Sequence, residues 1–107
     1  MRGCENMQFV VIAYDYTDEK APERRLAVKE EHLKFVEKRF KAREQLFGGA
    51  LLDDAGNMIG SVMVMDYPSK EELDHALQVE PYAAEKVWEK IDIKPYKVGP
   101  IFMELYK

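Results

Sequence analysis

One predicted helix near the N-terminus carries basic and titratable side chains on the face where apolar side chains are expected. Arg25, Lys29 and His32 lie within about 80° of the centre of that face when each residue is turned by about 100°. Histidine changes its charge near neutral pH and often serves as a general base. Arginine and lysine hold anions such as a carboxylate or an enolate. These residue types point to proton abstraction from a small substrate.

A second candidate is Glu80, which directly precedes Pro81. Proline suits the first position of a helix, so Glu80 is predicted to cap that helix with its carboxylate. A carboxylate held there can also orient an imidazole and stabilise its charged form. We therefore predict that His32 and Glu80 form a catalytic pair.

The sequence alone also allows purely structural roles for the same residues. Arg25 and Lys29 can extend past the sheet edge into solvent, and His32 can donate a hydrogen bond to a carbonyl group. Glu80 can act as a helix cap alone. The second histidine, His75, lies opposite the apolar side of its own helix and is predicted to be exposed.

The composition argues against several other classes of function. The chain has 107 residues, a formal net charge of -4 and one cysteine, which is typical of a single folded domain. The negative charge disfavours broad binding to a nucleic-acid backbone. The sequence lacks the usual metal-ligand spacings, a glycine-rich phosphate loop and an apolar run approaching about 18 residues. We therefore expect a cytoplasmic protein with no cofactor, no metal site, and neither a nucleic-acid nor a membrane partner.

The predicted elements follow the order strand, helix, strand, strand, helix, short helix, strand. The strands are predicted at Met7–Tyr14, Ala50–Leu52, Met58–Met65 and Ile101–Tyr106, with a turn at Asp53–Asn57. The helices are predicted at Glu23–Phe47, after the Ser69 capping box, and from Pro81 to about Ile91. Residues Met1–Asn6 precede the first patterned segment, so we predict an N-terminal extension without fixed structure and a single domain at 7–107.

The apolar residues of these helices are expected to pack against a sheet. On the first helix they form one stripe, which consists of Leu26, Leu33, Val36, Phe40 and Phe47. Among the polar residues near the end of that helix, only Arg43 is expected to interrupt the stripe. On the second helix the inward residues are Leu73, Ala76 and Leu77, and on the third they are Ala83, Ala84, Val87, Trp88 and Ile91.

This order of elements is that of the split βαβ, or ferredoxin-like, α+β fold, an antiparallel sheet with helices on one face. Both faces of the first strand are apolar, because Phe9 and Val11 alternate with Val10 and Ile12. The helices cover only one face. We predict that a second copy covers the other face and forms a homodimer; alternatively, the helices and the C-terminal segment wrap around both faces.

Four segments of the chain resemble the YciI-like (YCII-related) family. They are ERRLAVKEEHL at 23–33, MIGSVMV at 58–64, EPYAAEKVWE at 80–89 and IKPYK at 93–97. The resemblance implies a dimeric α+β barrel with an active-site cleft centred on a histidine and an acidic residue. His32 and Glu80 match this pair, although the motif more often begins with aspartate. Arg25 and Ser61 match positions that border the cleft, and Tyr82 belongs to the acidic-Pro-Tyr motif.

The resemblance also implies a type of reaction. The characterised activity of the family is dehydrochlorination of a chlorinated hydroxyhydroquinone, in which proton abstraction is followed by loss of chloride. We predict a cofactor-independent lyase or isomerase acting on an unknown small molecule, with His32 as general base and Glu80 as its orienting residue. The predicted substrate-binding residues are Arg25, Lys29, Ser61 and Tyr82. The alternative is a non-catalytic module that binds a small ligand or another protein.

Overall fold

The computed structural model describes residues 6–107, so the predicted extension lies, except for Asn6, outside the described residues. The elements are β1 (Met7–Asp15), α1 (Ala21–Lys41), β2 (Gln45–Leu52), β3 (Met58–Tyr67), α2 (Lys70–Gln78), α3 (Pro81–Ala84), β4 (Trp88–Tyr96) and a 3₁₀ helix at Phe102–Tyr106. Their order is the predicted one up to this last helix. Within residues 6–107, no helix is both long enough and apolar enough to cross a membrane.

The four strands form one antiparallel sheet in the order β2-β3-β1-β4. The predicted turn between β2 and β3 is confirmed. There the Asp53 carboxylate accepts hydrogen bonds from the backbone N–H groups of Ala55 and Asn57, and Gly56 adopts a φ of 89°. This topology confirms the predicted ferredoxin-like α+β fold.

The hydrophobic core lies between one face of the sheet and the helices. Its buried members are Phe9, Val11, Ala13, Met63, Met65, Tyr67, Leu73, Leu77, Tyr82, Val87 and Trp88. The predicted Ser69 cap of α2 is also present, since its side chain accepts a hydrogen bond from the Glu72 N–H. On the other sheet face the alternate residues of β1 and β3, Val10, Ile12, Val62 and Val64, are only half-buried. The C-terminal segment reaches one end of this face, where the Val98 N–H donates to Oε1 of Gln8 at 2.7 Å and Nε2 of Gln8 donates to the Met103 sulfur at 3.7 Å.

The predicted boundary between α1 and β2 is wrong by several residues. The helix ends at Lys41 rather than at Phe47, and β2 begins at Gln45 rather than at Ala50. Arg43 has a φ of 60°, which turns the chain out of the helix before the glycines are reached. Gly48 and Gly49 therefore lie inside the strand, and Arg43 is an exposed turn residue rather than part of α1.

The predicted C-terminal elements are also wrong. The third helix has a single turn, and the φ of 62° at Lys86 directs the chain into β4, so Trp88 begins a strand. Residues Ile101–Tyr106, predicted to be the last strand, lie in the 3₁₀ helix and its N-cap. The strand β4 tolerates Pro95 because it is an edge strand, where a missing N–H leaves few ladder bonds unmade.

The largest difference between the predicted and the observed fold concerns which face of α1 is buried. Leu26, Leu33 and Phe40, predicted to be core, are 73%, 50% and 56% exposed. The buried residues of this helix instead include Arg25 and Arg39. The polar side chains of α1 face inward because they pair with buried carboxylates from other parts of the chain.

Candidate active site

The side chains of His32 and Glu80 are in direct contact. His32 lies in the middle of α1, and its Nδ1 is 2.7 Å from Oε1 of Glu80, the N-cap residue of α3. Glu80 is completely buried, and the same oxygen accepts a hydrogen bond of 3.0 Å from the backbone N–H of Tyr82. Glu80 is thus both a helix cap and the partner of His32. The partner of Nδ1 is thus this carboxylate rather than a carbonyl group, and His75 is exposed as expected.

Arg39 is a third member of this cluster, and the sequence interpretation missed it. Its Nη1 donates to Oε2 of Glu80 at 2.7 Å, and its Nε donates to Oε1 of Gln45 at 2.9 Å. The side chain is buried, and within the described residues its Nη2 has no hydrogen-bond partner. The signal was present in the sequence, because Arg25, His32 and Arg39 are spaced by seven residues and share one helix face.

These contacts keep Glu80 ionised and place a hydrogen on Nδ1 of His32. Burial opposes ionisation of Glu80, but the hydrogen bond and charge of His32, the Tyr82 N–H and the Arg39 guanidinium together hold the pKa of Glu80 below its usual value. An ionised carboxylate only accepts hydrogen bonds, so Nδ1 of His32 must carry a hydrogen. In the neutral imidazole, Nε2 is then the unprotonated nitrogen that can accept a proton.

Two aromatic side chains hold the imidazole in place. The Tyr82 ring stacks on His32 with centroids 3.8 Å apart and planes inclined by 7°, and Trp88 meets His32 edge-on at 6.1 Å. Burial is the main cause that raises the pKa of Tyr82, so its hydroxyl keeps its hydrogen at neutral pH. The ring of His32 therefore has little rotational freedom.

Arg25 is fixed inside the fold and does not extend into solvent. Its Nε donates to Asp15 at 2.7 Å, and its Nη2 donates to the Gly60 carbonyl at 2.8 Å and to Ser61 Oγ at 2.9 Å. Its guanidinium carbon lies 4.8 Å from the Tyr82 ring centroid. Because Asp15 neutralises the charge of Arg25, this arginine contributes hydrogen-bond donors more than net charge.

Ser61 is also held by hydrogen bonds from neighbouring side chains. Its oxygen accepts hydrogen bonds from Arg25 and, at 3.2 Å, from Nε1 of Trp88. A hydroxyl has two acceptor lone pairs and one donor hydrogen. Since both lone pairs are used by protein donors, the hydrogen of Ser61 remains for a third partner.

A cavity of about 610 Å³ lies between α1 and the β2–β3 side of the sheet. Five of the six predicted site residues line it, namely Arg25, Lys29, His32, Ser61 and Tyr82. Glu80 lies behind His32 and does not reach the wall. Gln45 also lines the cavity and was not predicted, since the sequence interpretation placed it in the helix. The volume is within the range of about 300–1,000 Å³ found for small-molecule sites.

Lys29 is exposed, as one of the two sequence interpretations allowed, yet it lies at the wall of the cavity. Within residues 6–107 it forms no ion pair. No group of three or more His, Cys, Asp or Glu side chains in this part of the chain is arranged to hold a metal ion. The polar groups that line the cavity are a lysine, an arginine, an imidazole, hydroxyls and amides.

Together, the fold and this cavity define a class of protein: a ferredoxin-like α+β domain with a ligand-sized cleft and, at its wall, a histidine that contacts a buried carboxylate. The YCII-related domain model matches residues 7–97, so the chain belongs to that family. No curated protein matches the sequence of this chain.

Solved structures with the same fold include a dehydrochlorinase. It is the 5-chloro-2-hydroxyhydroquinone dehydrochlorinase TftG from Burkholderia phenoliruptrix, in complex with 2,5-dihydroxybenzoquinone; it is 23% identical, with 87% of this chain and 96% of that chain covered and a TM-score of 0.73. A conserved protein from Methanosarcina mazei is 13% identical, with 89% and 94% covered and a TM-score of 0.51. A putative antibiotic biosynthesis monooxygenase from Nitrosomonas europaea is 10% identical, with 88% and 91% covered and a TM-score of 0.52. At these identities the likeness concerns the fold.

Proposed function

We propose that this protein is a cofactor-independent enzyme in which His32 removes a proton from a small aromatic, carbonyl or hydroxyl substrate. The observation that carries the proposal is the 2.7 Å contact between His32 Nδ1 and the buried, ionised Glu80. It leaves Nε2 as the basic nitrogen at a residue that lines the cavity. Glu80 is a positioning residue, because it fixes the tautomer and ring orientation but does not line the cavity.

The same cavity supplies donors for the negative charge that proton removal creates. The C–H proton goes to Nε2 of His32, and the C–H electron pair moves onto the substrate oxygen to give an enolate. The Ser61 and Tyr82 hydroxyls and Nη1 of Arg25, which donates to the Met58 sulfur at 3.7 Å, are suited to stabilise that oxygen. The enolate then either expels an anionic leaving group or takes the proton back at another carbon, which gives a lyase or an isomerase.

The likeness to the dehydrochlorinase supports the lyase form of this reaction. That enzyme is named for loss of HCl from a chlorinated hydroxyhydroquinone. Such an elimination needs a base for the proton and an environment that stabilises the developing oxygen charge. Fold likeness does not transfer a substrate, so the substrate of this chain is to be found by experiment.

Proton abstraction is tested by hydrogen–deuterium exchange in D₂O, followed by ¹H NMR. The probes are halogenated dihydroxy- and trihydroxybenzenes, together with short β-keto acids. We expect protein-dependent loss of an acidic C–H signal, or release of halide, from at least one probe. Probes that bind, as shown by broadened ligand signals, but neither exchange nor react would contradict the enzyme and favour the alternative, a non-catalytic ligand-binding module.

We also propose that the protein is a homodimer through the sheet face opposite the helices. Val10, Ile12, Val62 and Val64 form an apolar surface there, and apolar surfaces of this kind commonly mark interfaces. Light scattering should give twice the chain mass of 12.5 kDa. Val64→Lys should shift the mass to that of one chain, whereas Val79→Lys, at an exposed residue after α2, should not. A wild-type mass of 12.5 kDa would contradict the dimer.

A further inference from the structure

The row of apolar residues on α1 that is absent from the core lies at the wall of the cavity. Leu26, Leu33 and Phe40 are at least half exposed, and all three line the cavity together with Val36. An exposed apolar surface of this length costs hydration free energy, and on a concave surface it marks a place for an apolar partner. The cavity thus has an apolar part that the proposed proton transfer does not use.

The polar part of the same cavity is suited to an anion. Among the described residues that line it, none is Asp or Glu, although the chain has 20 acidic residues and a net charge of -4. Lys29 brings a positive charge with no ion-pair partner in residues 6–107, and Arg25 brings donor groups. An anionic head group is therefore favoured over a cationic one.

Apart from Leu26, which lies between Arg25 and Lys29, the apolar part follows the polar part along α1. With a rise of about 1.5 Å per residue, Lys29 is about 4–5 Å from His32 along the helix axis, and Phe40 is about 12 Å beyond His32. A cavity of about 150 Å³ already accommodates benzene. The volume of about 610 Å³ therefore has room for much more than one aromatic ring.

We propose that the site takes an elongated amphipathic anion. Its carboxylate or enolate lies against Lys29 and Arg25, and its apolar chain or fused-ring body, about 12 Å long, lies against Leu33, Val36 and Phe40. The position of the reacting carbon beside His32 rests on the proposed function. The binding of the head and of the apolar body does not depend on it.

A second copy of the chain is a less suitable occupant of this surface. The face suited to a second copy is the opposite side of the sheet, where Val10 and Val64 lie. The apolar row, in contrast, is continuous with the wall that holds His32 and Lys29. A small amphipathic molecule matches both parts at once.

Calorimetric titration of the full-length protein with butanoate, hexanoate, octanoate and octan-1-ol tests the proposal. Each added methylene that leaves water should raise the affinity about three- to fourfold, so octanoate should bind about 10²-fold more tightly than butanoate. Octanoate should also bind at least about tenfold more tightly than octan-1-ol, because the alcohol lacks the charge that Lys29 attracts.

Three variants separate the two parts of the site. Phe40→Asn should weaken the dependence on chain length, and Lys29→Gln should remove most of the preference for octanoate over octan-1-ol. Lys34→Gln should change neither, because Lys34 is exposed on the same helix and does not line the cavity. Equal affinities for butanoate and octanoate, or an unchanged preference in Lys29→Gln, would overturn the proposal.

The outcome is distinguishable from failure of the proposed function. If octanoate binds with the expected dependence while none of the enolisable probes exchanges, the amphipathic site stands and the enzyme does not. If short probes exchange in a His32-dependent manner while the affinity for the carboxylates does not depend on chain length, the proposed enzyme is supported and the amphipathic site is wrong.

Discussion

Replacing Glu80 by glutamine should lower the free energy of unfolding by about 3 kcal/mol, the lower end of the range for breaking one partner of a buried ion pair. Glutamine keeps the size of the side chain but removes the charge that compensates Arg39, which is only 6% exposed. Urea unfolding followed by tryptophan fluorescence measures the change, since Trp88 lies next to His32 and Tyr82. Glu85→Gln, at an exposed residue a few positions later, is the matched control.

The effect of Glu80→Gln should depend on pH in a defined direction. The pKa of Glu80 is lower in the folded protein than its ordinary value of 4.5, so its ionised form stabilises the native state above that pH. This stabilisation is lost as the pH falls through the folded pKa. The difference between wild type and variant should therefore be largest near pH 7 and shrink as the pH falls below 4.5. A difference that is constant with pH would contradict this account.

The double variant Glu80→Gln, Arg39→Met separates the lost charge from lost packing. Methionine fills much of the space of arginine without needing a counter-charge, so the second substitution should recover about half or more of the lost stability. Recovery also keeps the test informative if the single variant does not fold. If the double variant is as unstable as the sum of the two single variants, the charges of Glu80 and Arg39 are not coupled.

Replacing His32 by glutamine should lower the rate of proton exchange or elimination by about 10²- to 10⁴-fold, the usual contribution of a positioned general base. The wild-type rate should fall in acid, because a protonated imidazole cannot accept a proton, and the residual rate of the variant should lack that fall. ¹H NMR exchange rates of a reactive probe, measured at several pH values, provide both results.

His75→Gln is the control for this experiment, because His75 is exposed and lies outside the cavity lining. Thermal unfolding of both variants shows whether the loss of the stacking partner of Tyr82 disturbs the fold. A His32→Gln variant that keeps its fold and more than a tenth of the wild-type rate would remove His32 from the role of base. In that case the binding module becomes the better description.

Local patterns in the sequence were sufficient for the order of the elements from β1 to α3 and for the fold class. Alternating apolar residues in β1 and β3, the Ser69 cap and the turn at Asp53–Asn57 act within a few residues, so they can be recognised without tertiary contacts. The boundaries of the elements were predicted less well. Arg43 and Lys86 turn the chain with positive φ values, and neither position is a glycine that would indicate such a turn in the sequence. His32 and Glu80 were recognised from residue type and motif, but their contact joins residues 48 positions apart.

Only the tertiary structure decided which face of α1 is buried. The helix has two neighbouring rows with a seven-residue repeat: an apolar one with Leu33 and Phe40, and a polar one with His32 and Arg39. Amphipathicity by itself predicts burial of the apolar row. Sequence periodicity does not show which carboxylates from distant parts of the chain will lie beside the polar row. Once the chain has folded, Glu80, which is 41 residues from Arg39, compensates the positive charge of the polar row. The polar row therefore turns inward, and the apolar row becomes the wall of the cavity.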